Sequence, residues 1–422
     1  MKKCISLILL LSVLMSLLAA CGEKAPAKVS LPQAENIAGK TVDEDFEEAY
    51  MELAVSLLQK SATEKQGDNL LISPLSIQLA LAMTANGADG QTRQEMENVL
   101  SQNIPLEDLN LYLLGYLYDF KTGLVRGQES ELKLANSVWL RDQKDSLRVE
   151  ESFLQSVSDY YNADIYKRAF DSTTVKQINS WVDQNTDGMI PKVLDKIDSA
   201  SMMYLINAIT FDAQWAEPYD EYAIRDGSFT TQNGKQQTVS MMYSEEALYV
   251  EDNRATGFIK PYKGGNFNFA VLVPNEGIDV YDYLDSLTAA SLSQTLSEAE
   301  KYTVRTQMPK FSYHFDLAMN DVLRDMGMLT AFDPGAADFS KLGSSDMGNL
   351  YIGNVLHKTF IRVDGLGTQA GAVTVVEVVA EGYMEPDHNR KEVIVDRPFV
   401  CMILDAENKL PIFLGCVTEV TE

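Results

Sequence analysis

Histidine and cysteine are scarce in this chain: its 422 residues carry three His and four Cys. No His-Glu-x-x-His helix and no Gly-x-Ser-x-Gly turn occurs, so the usual signatures of a zinc hydrolase or an α/β-hydrolase are missing. His388 falls in a polar stretch, His314 is expected at a helix start, and His357 sits between apolar residues, where a structural, hydrogen-bonded imidazole is the simplest reading. Two of the four Cys lie at the amino-terminal end, and only Cys401 and Cys416 fall in the body, both in apolar, strand-like runs. One such pair excludes a disulfide framework, and buried free thiols are expected. Basic residues are also few, 35 Lys and Arg against 61 Asp and Glu, for a formal charge of −26. Without a basic face there is nothing to neutralise phosphates, which excludes nucleic acid as a partner. The acids are spread along solvated faces without the spacing of metal ligands, so no metal and no cofactor is expected.

What is present is a large apolar fraction, 45% hydrophobic with 9% aromatic residues, enough for a substantial core. Met1-Lys2-Lys3 followed by the apolar run Ile5 to Ala20 has the form of a secretory signal, and the run is short for a spanning helix. It ends in Leu18-Ala19-Ala20-Cys21-Gly22, which resembles the cleavage and lipidation box of bacterial lipoproteins. That resemblance implies a diacylglyceryl thioether on Cys21, and acyl chains contribute about 0.8 kcal/mol per buried methylene, so two or three make a stable membrane anchor. The expected organisation is a signal peptide over 1–20, a lipidated tether over 21–42, and one domain over 43–422, anchored at a bacterial cell surface.

Apolar spacing predicts an amphipathic helix from Asp43 to Lys60. A nearly all-apolar helix follows from Ser73-Pro74 to Met83, with Ser73 as cap and Pro74 in the first turn. Further helical patterns span Phe153–Tyr160, Val175–Asn185, Tyr281–Glu300 and Phe315–Met326. Strand signals recur at Leu132–Leu140, Tyr204–Phe211, Ser240–Val250, Phe267–Val273, Val304–Met308, Leu356–Val363, Phe399–Leu404 and Pro411–Val417. Their irregular order, with strands clustering late, predicts an α+β protein with mainly antiparallel sheets.

The segment from Val363 to Gly382 carries two conflicting signals. Its start is small and permissive, with Gly367, Thr368, Gln369, Ala370, Gly371 and Ala372 leading through Val373 and Thr374 into a Val-rich run of high strand propensity. At a two-residue period one face is Thr368, Ala370, Ala372, Thr374, Val376 and Val378, wholly uncharged, and the other carries Gln369 and Glu377. From Gly382 the chain turns polar, as an exposed loop does. A strand able to enter a sheet is joined to a tip that stays in water.

Several separated blocks then carry a family resemblance. Asn69, Ser73-Pro74, Ser76-Ile77, Ala80-Leu81 and Gly87-Ala88 form one. Asn179 with Trp181-Val182 forms another, and Asn207-Ala208, Phe211 and Trp215 a third. Pro261-Tyr262, Pro309-Lys310-Phe311, His357-Lys358, Gly367-Thr368 and Arg397-Pro398-Phe399 follow in order. In this set, residues 43–422 resemble the serpins. The resemblance implies three mostly antiparallel sheets surrounded by about nine helices, a monomer, and an exposed reactive-centre loop over about 365–392. It implies a non-enzymatic serine protease inhibitor that forms a covalent complex: the protease acylates itself on the loop, and the cleaved loop inserts as a new central strand before the ester is hydrolysed. A non-inhibitory serpin, cut as an ordinary substrate, is the alternative.

By the same resemblance the hinge is Gly367 to Thr374, the shutter beneath the parting strands is Ser73, Ser76, Asn207 and His357, and Trp215 lies where the hinge enters. Counting fourteen residues from Gly367 places the reactive bond at Glu381-Gly382, with Val379, Ala380, Tyr383 and Met384 as neighbours. Val379-Ala380 suits elastase-like or subtilisin-like pockets. The chain departs from the family at Gly365, where a Glu is usual, and its loop is about six residues longer after the reactive bond.

Overall fold

A computed structural model describes residues 28–29, 36–102, 104–124, 130–142, 147–198, 201–368 and 389–421. Nine α-helices occur among them: α1 Glu44–Glu64, α2 Pro74–Ala85, α3 Gly90–Ser101, α4 Leu106–Leu124, α5 Glu151–Tyr161, α6 Ser172–Asn185, α7 Val280–Ser286, α8 Ala289–Ser297 and α9 Asn320–Asp325. The strands are β1 Leu70–Ile72, β2 Ser130–Arg141, β3 Leu147–Val149, β4 Asp164–Arg168, β5 Met203–Gln214, β6 Ile224–Thr230, β7 Gln236–Glu251, β8 Ala255–Pro261 and β9 Phe267–Pro274. They continue with β10 Glu300–Pro309, β11 Phe311–Ala318, β12 Gly343–Ser345, β13 Leu356–Val363, β14 Gly367–Thr368, β15 Arg390–Ile394, β16 Phe399–Asp405 and β17 Pro411–Val417.

Three sheets result. The largest runs β1-β17-β16-β9-β8-β7-β10-β15 with β6 paired to β7, the second runs β11-β13-β14-β5-β2-β4, and β12 pairs with β3. Among the described strands, only the pairs β10–β15 and β2–β4 are parallel. β16 and β17 are buried at every residue, which is why they read as unbroken apolar runs rather than alternating ones. Cys401 and Cys416 lie there as buried free thiols, and burial pushes the Cys401 thiol up to about 12.

Helix α2 lies between the two large sheets, against β5 and β17, and of its twelve residues only Ala80 is not buried. A helix enclosed on all sides needs no polar face, which explains its composition. Its start is set as expected: the Ser73 side chain accepts the Ser76 N–H at 3.2 Å and Pro74 opens the first turn. α1 packs on β17, where the Tyr50 hydroxyl donates to the Pro411 carbonyl at 2.9 Å.

Several expectations need correction. The long helix over Tyr281–Glu300 is two, α7 and α8, because Thr288 and Ser291 form a capping box that starts the second one afresh. Phe315–Met326 is not one helix: Phe311 to Ala318 form β11, paired along its length with β13, and only Asn320–Asp325 is helical. His314 therefore lies mid-strand, its ring 4.5 Å from that of Phe360. The tether expected over 21–42 is not free chain in its described parts. Lys28 pairs with Asp164 at 2.5 Å, the Val29 N–H donates to Ile165 of β4, and the Lys40 N–H donates to Leu111 of α4.

Candidate functional site

The site begins with a turn. Asp364-Gly365-Leu366 reverses the chain after β13: the Asp364 side chain accepts the Leu366 N–H at 2.9 Å, and the Asp364 N–H donates to the Gly367 carbonyl at 3.0 Å. An Asp bonding two residues on, followed by Gly, is what such a reversal asks of a sequence. The returning arm is β14, in which Thr368 pairs with Val363 of β13 on one side and with Ala213 of β5 on the other. Among the described residues β13 and β5 form no ladder with each other, and β14 is what lies between them.

Trp215, just beyond β5, holds this turn. Its indole N–H donates to the Asp364 carbonyl at 2.8 Å, its backbone N–H to the Leu366 carbonyl at 2.9 Å, and the Tyr219 N–H to the Gly365 carbonyl at 2.8 Å. Three successive carbonyls are thus bonded by one short segment. The Trp215 ring stacks on Tyr262 at 4.6 Å, and the Tyr262 hydroxyl bonds the Thr368 hydroxyl. That contact fixes the direction of the arm, because Thr368 points inward and is buried.

Gly367 is required by close approach. A Cβ there would come within 2.1 Å of the Ala213 carbonyl oxygen and 2.8 Å of Gln214 Cα, both main-chain atoms that cannot swing away. Gly367→Ala is therefore expected to detach β14 from β5, expose Thr368, and lower the free energy of unfolding measured in urea by at least the ~1 kcal/mol typical of a destabilising replacement.

Near the other end of β13 and β5 the shutter residues meet at the start of α2. His357 Nε2 accepts the Ser73 N–H at 3.1 Å, so the ring proton resides on Nδ1, which has no hydrogen-bond partner among the described residues. The Ser76 hydroxyl donates to Asn207 Oδ1 at 2.5 Å, and Asn207 Nδ2 donates to Asn136 Oδ1 at 2.8 Å. Ser73 and Ser76 are joined by the capping bond, so each strand is bonded to the helix and His357 and Asn207 make no bond to each other. Each strand is thus held from below by its own bond to the helix, and neither bond depends on the two strands staying side by side. Burial depresses the His357 imidazole from 6.5 to about 4, keeping it neutral at physiological pH.

Of the residues singled out from sequence, Gly367, Thr368 and Trp215 meet at the turn, and Ser73, Ser76, Asn207 and His357 meet at α2. Gln369 to Thr374, Val379 to Met384, His388 and Cys21 lie outside the described residues. Sequence reasoning missed Asn136, whose own amide donates to the Tyr161 carbonyl at 2.9 Å, and the roles of Tyr262 and Asp364. An Asn in the middle of the strand-like run Leu132–Leu140 was the available signal for the first.

Fold and site together define a class of protein: a large sheet with the first residues of one extra strand lodged between two strands that are tied to the helix beneath. The chain belongs to the serpin family, its residues 48–420 matching the model described as Serpin (serine protease inhibitor). It is 31% identical to human Serpin B9 over 372 residues, covering 86% of this chain and 96% of that protein. A serpin-like protein of Thermococcus kodakarensis is 30% identical, with 82% and 80% covered. Among solved structures, the thermophilic serpin tengpin in its native state superposes with a TM-score of 0.86 at 44% identity, over 92% of this chain and 98% of that one. Tengpin in its latent state gives 0.80 at 44% identity, over 91% and 100%.

Proposed function

We propose that this serpin is a suicide-substrate inhibitor of serine proteases with elastase-like or subtilisin-like pockets. The observation that carries this reading is the direction of Thr368. Because it faces inward in the register of β14, the alternate residues Ala370, Ala372, Thr374, Val376 and Val378 would also face inward if the strand were extended, and that is the uncharged face. Continuing the pairing of Thr368 with Ala213 and Val363 would set Ala370 between Phe211 and Ile361, Ala372 between Ile209 and Thr359, and Thr374 between Asn207 and His357. The Nδ1–H of His357, which has no partner among the described residues, would then lie beside a hydroxyl.

The chemistry belongs to the target. Its serine oxygen attacks the carbonyl carbon of the scissile residue, Glu381 by the count from Gly367 or Val379 or Ala380 where a small aliphatic pocket sets the register, the peptide bond after that residue breaks, and the freed amine leaves carrying a proton, which leaves an ester. Insertion of roughly 14 residues at about 3.3 Å each then carries the esterified enzyme on the order of 45 Å, and its distortion stops water from completing hydrolysis. Incubation with elastase, chymotrypsin, trypsin and subtilisin, read on denaturing gels and by mass, tests this. A covalent complex with a cut between Val379 and Met384 is expected. Complete loop cleavage by the whole panel with no complex would establish the non-inhibitory alternative, and a cut elsewhere would remove the assignment of the bond.

The same proposal places the protein at a bacterial cell surface, held by lipid on Cys21. Cys21→Ser is expected to abolish palmitate labelling and release the chain from membranes, and a variant that stays membrane-bound would end the anchoring idea.

A further inference from the structure

Under the turn at Asp364-Gly365-Leu366 lies a buried ion pair. Lys260 Nζ donates to Glu246 Oε1 at 2.6 Å, with both side chains nearly inaccessible at 3% and 6%. Glu246 is held in turn by the Ser244 hydroxyl at 2.6 Å, and Ser244 shares a hydrogen bond with Thr306 at 2.8 Å. The Lys260 ammonium also sits over two aromatic faces, 4.5 Å from the ring centre of Tyr219 and 5.6 Å from that of Trp215. Those two residues are the ones whose N–H groups bond the carbonyls of Asp364, Gly365 and Leu366. The buried Tyr219 hydroxyl makes no well-formed hydrogen bond among the described residues, with Ser244 as its polar neighbour.

Burying a charged pair is costly, and apolar residues of the same size often serve stability as well or better. A pair kept here calls for a reason other than stability. Gly365 supplies one. It has no side chain to anchor the base of the loop, and the space a Cβ would enter is taken by Ile224 Cδ1 at 2.7 Å. With no side chain at Gly365, the middle of the turn is held from below through its three carbonyls, and these depend on the placement of Trp215 and Tyr219.

We infer that Lys260, fixed by Glu246, is the positioning residue for this clamp, and that the pair sets how fast a strand continues from Thr368 into the sheet. The cation holds both rings by attraction to their faces, which keeps the Trp215 and Tyr219 N–H groups aimed at the turn. Removing it frees the rings, loosens the turn, and lowers the barrier to strand entry. This inference rests on the reading of the protein as an inserting serpin.

The test uses a fluorescent peptide of residues 367–380 and the purified protein, with peptide incorporation followed on native gels. Lys260→Met alone should lower the urea midpoint, because it leaves Glu246 buried and unpaired. The double variant Lys260→Met with Glu246→Leu should regain the wild-type midpoint yet take up peptide at least tenfold faster, and Lys260→Arg should keep the wild-type rate. A double variant within twofold of the wild-type rate would overturn the inference, as would rates that simply track the loss of midpoint across all variants. If the wild type takes up peptide at a normal pace but the double variant does not differ, only this inference fails. If neither the wild type nor any variant takes up peptide, the insertion reading fails and takes the inference with it.

Discussion

Under the proposed inhibitory function, Ala370→Lys is expected to leave a protein that is cut as a substrate, whereas Gln369→Lys, one residue earlier, should leave covalent complex formation largely intact. The difference follows from the direction of Thr368, whose inward side chain fixes the alternation of every residue that would follow it in the same strand. In that register Ala370 comes to lie between Phe211 and Ile361, both in the main core, where an ammonium would have no counter-charge. Burial of an unpaired charge costs several kcal/mol. If roughly 3 kcal/mol of that is felt in the insertion barrier, insertion slows about a hundredfold while deacylation is untouched.

Gln369 would instead come opposite Asp212 and Arg362 on the outer face. Asp212 is only half-buried, and its carboxyl is pushed up to about 6 by that burial and by Glu131, its direct cross-strand neighbour. A lysine placed beside it is attracted rather than stranded. The yield of covalent complex with a responsive protease should therefore fall below one tenth for Ala370→Lys and stay near the wild-type level for Gln369→Lys. Equal loss in both variants would mean that the strand does not enter in the register of β14.

Acid is expected to weaken the fold through His357. The imidazole titrates at about 4 when folded and at 6.5 when exposed, and desolvation is the cause. Between those values the unfolded chain binds a proton that the folded one refuses, so stability falls as the pH drops through this window and the effect is absent above pH 7.5. The full loss is on the order of 3 kcal/mol by pH 4, with about 2 kcal/mol of it reached at pH 5. Protonation also removes the acceptor that holds the Ser73 N–H at 3.1 Å, so the start of α2 is left with an unpaired buried donor. Comparing urea midpoints of wild type and His357→Gln at pH 7.5 and pH 5 isolates the effect. The wild type should lose markedly more than the variant between the two, and parallel losses would show that the histidine is not the sensor. Asp405 and Glu47, whose carboxyls are raised mainly by burial, act in the opposite sense and are common to both proteins.

The elements that were legible beforehand are those specified by neighbours in sequence. Ser73-Pro74 announces the start of α2 because capping and proline geometry are satisfied within one turn. The uncharged face beginning at Thr368 is visible because a strand's alternation is local. Where the pattern was ambiguous, the error lay in contacts made from far away. Phe315 to Met326 carries apolar residues that suit either period, and pairing with β13, about forty residues later, decides in favour of a strand up to Ala318. Asn136 could be noticed as an odd residue in an apolar run, but nothing local links it to Asn207, 71 positions on.

By itself the sequence determined an acidic chain with a large core, its family, and a stretch after Gly367 with one uncharged face. Composition, alternation and ordered motifs are enough for that, since each depends on residue type and short-range spacing. Only the tertiary structure decided that Thr368 faces inward, that β13 and β5 are each tied to α2, and that Lys260 and Glu246 sit beneath the turn. Those facts depend on the register of strands distant in sequence and on which polar groups meet after the sheets have packed, and neither is encoded in any short stretch of the chain.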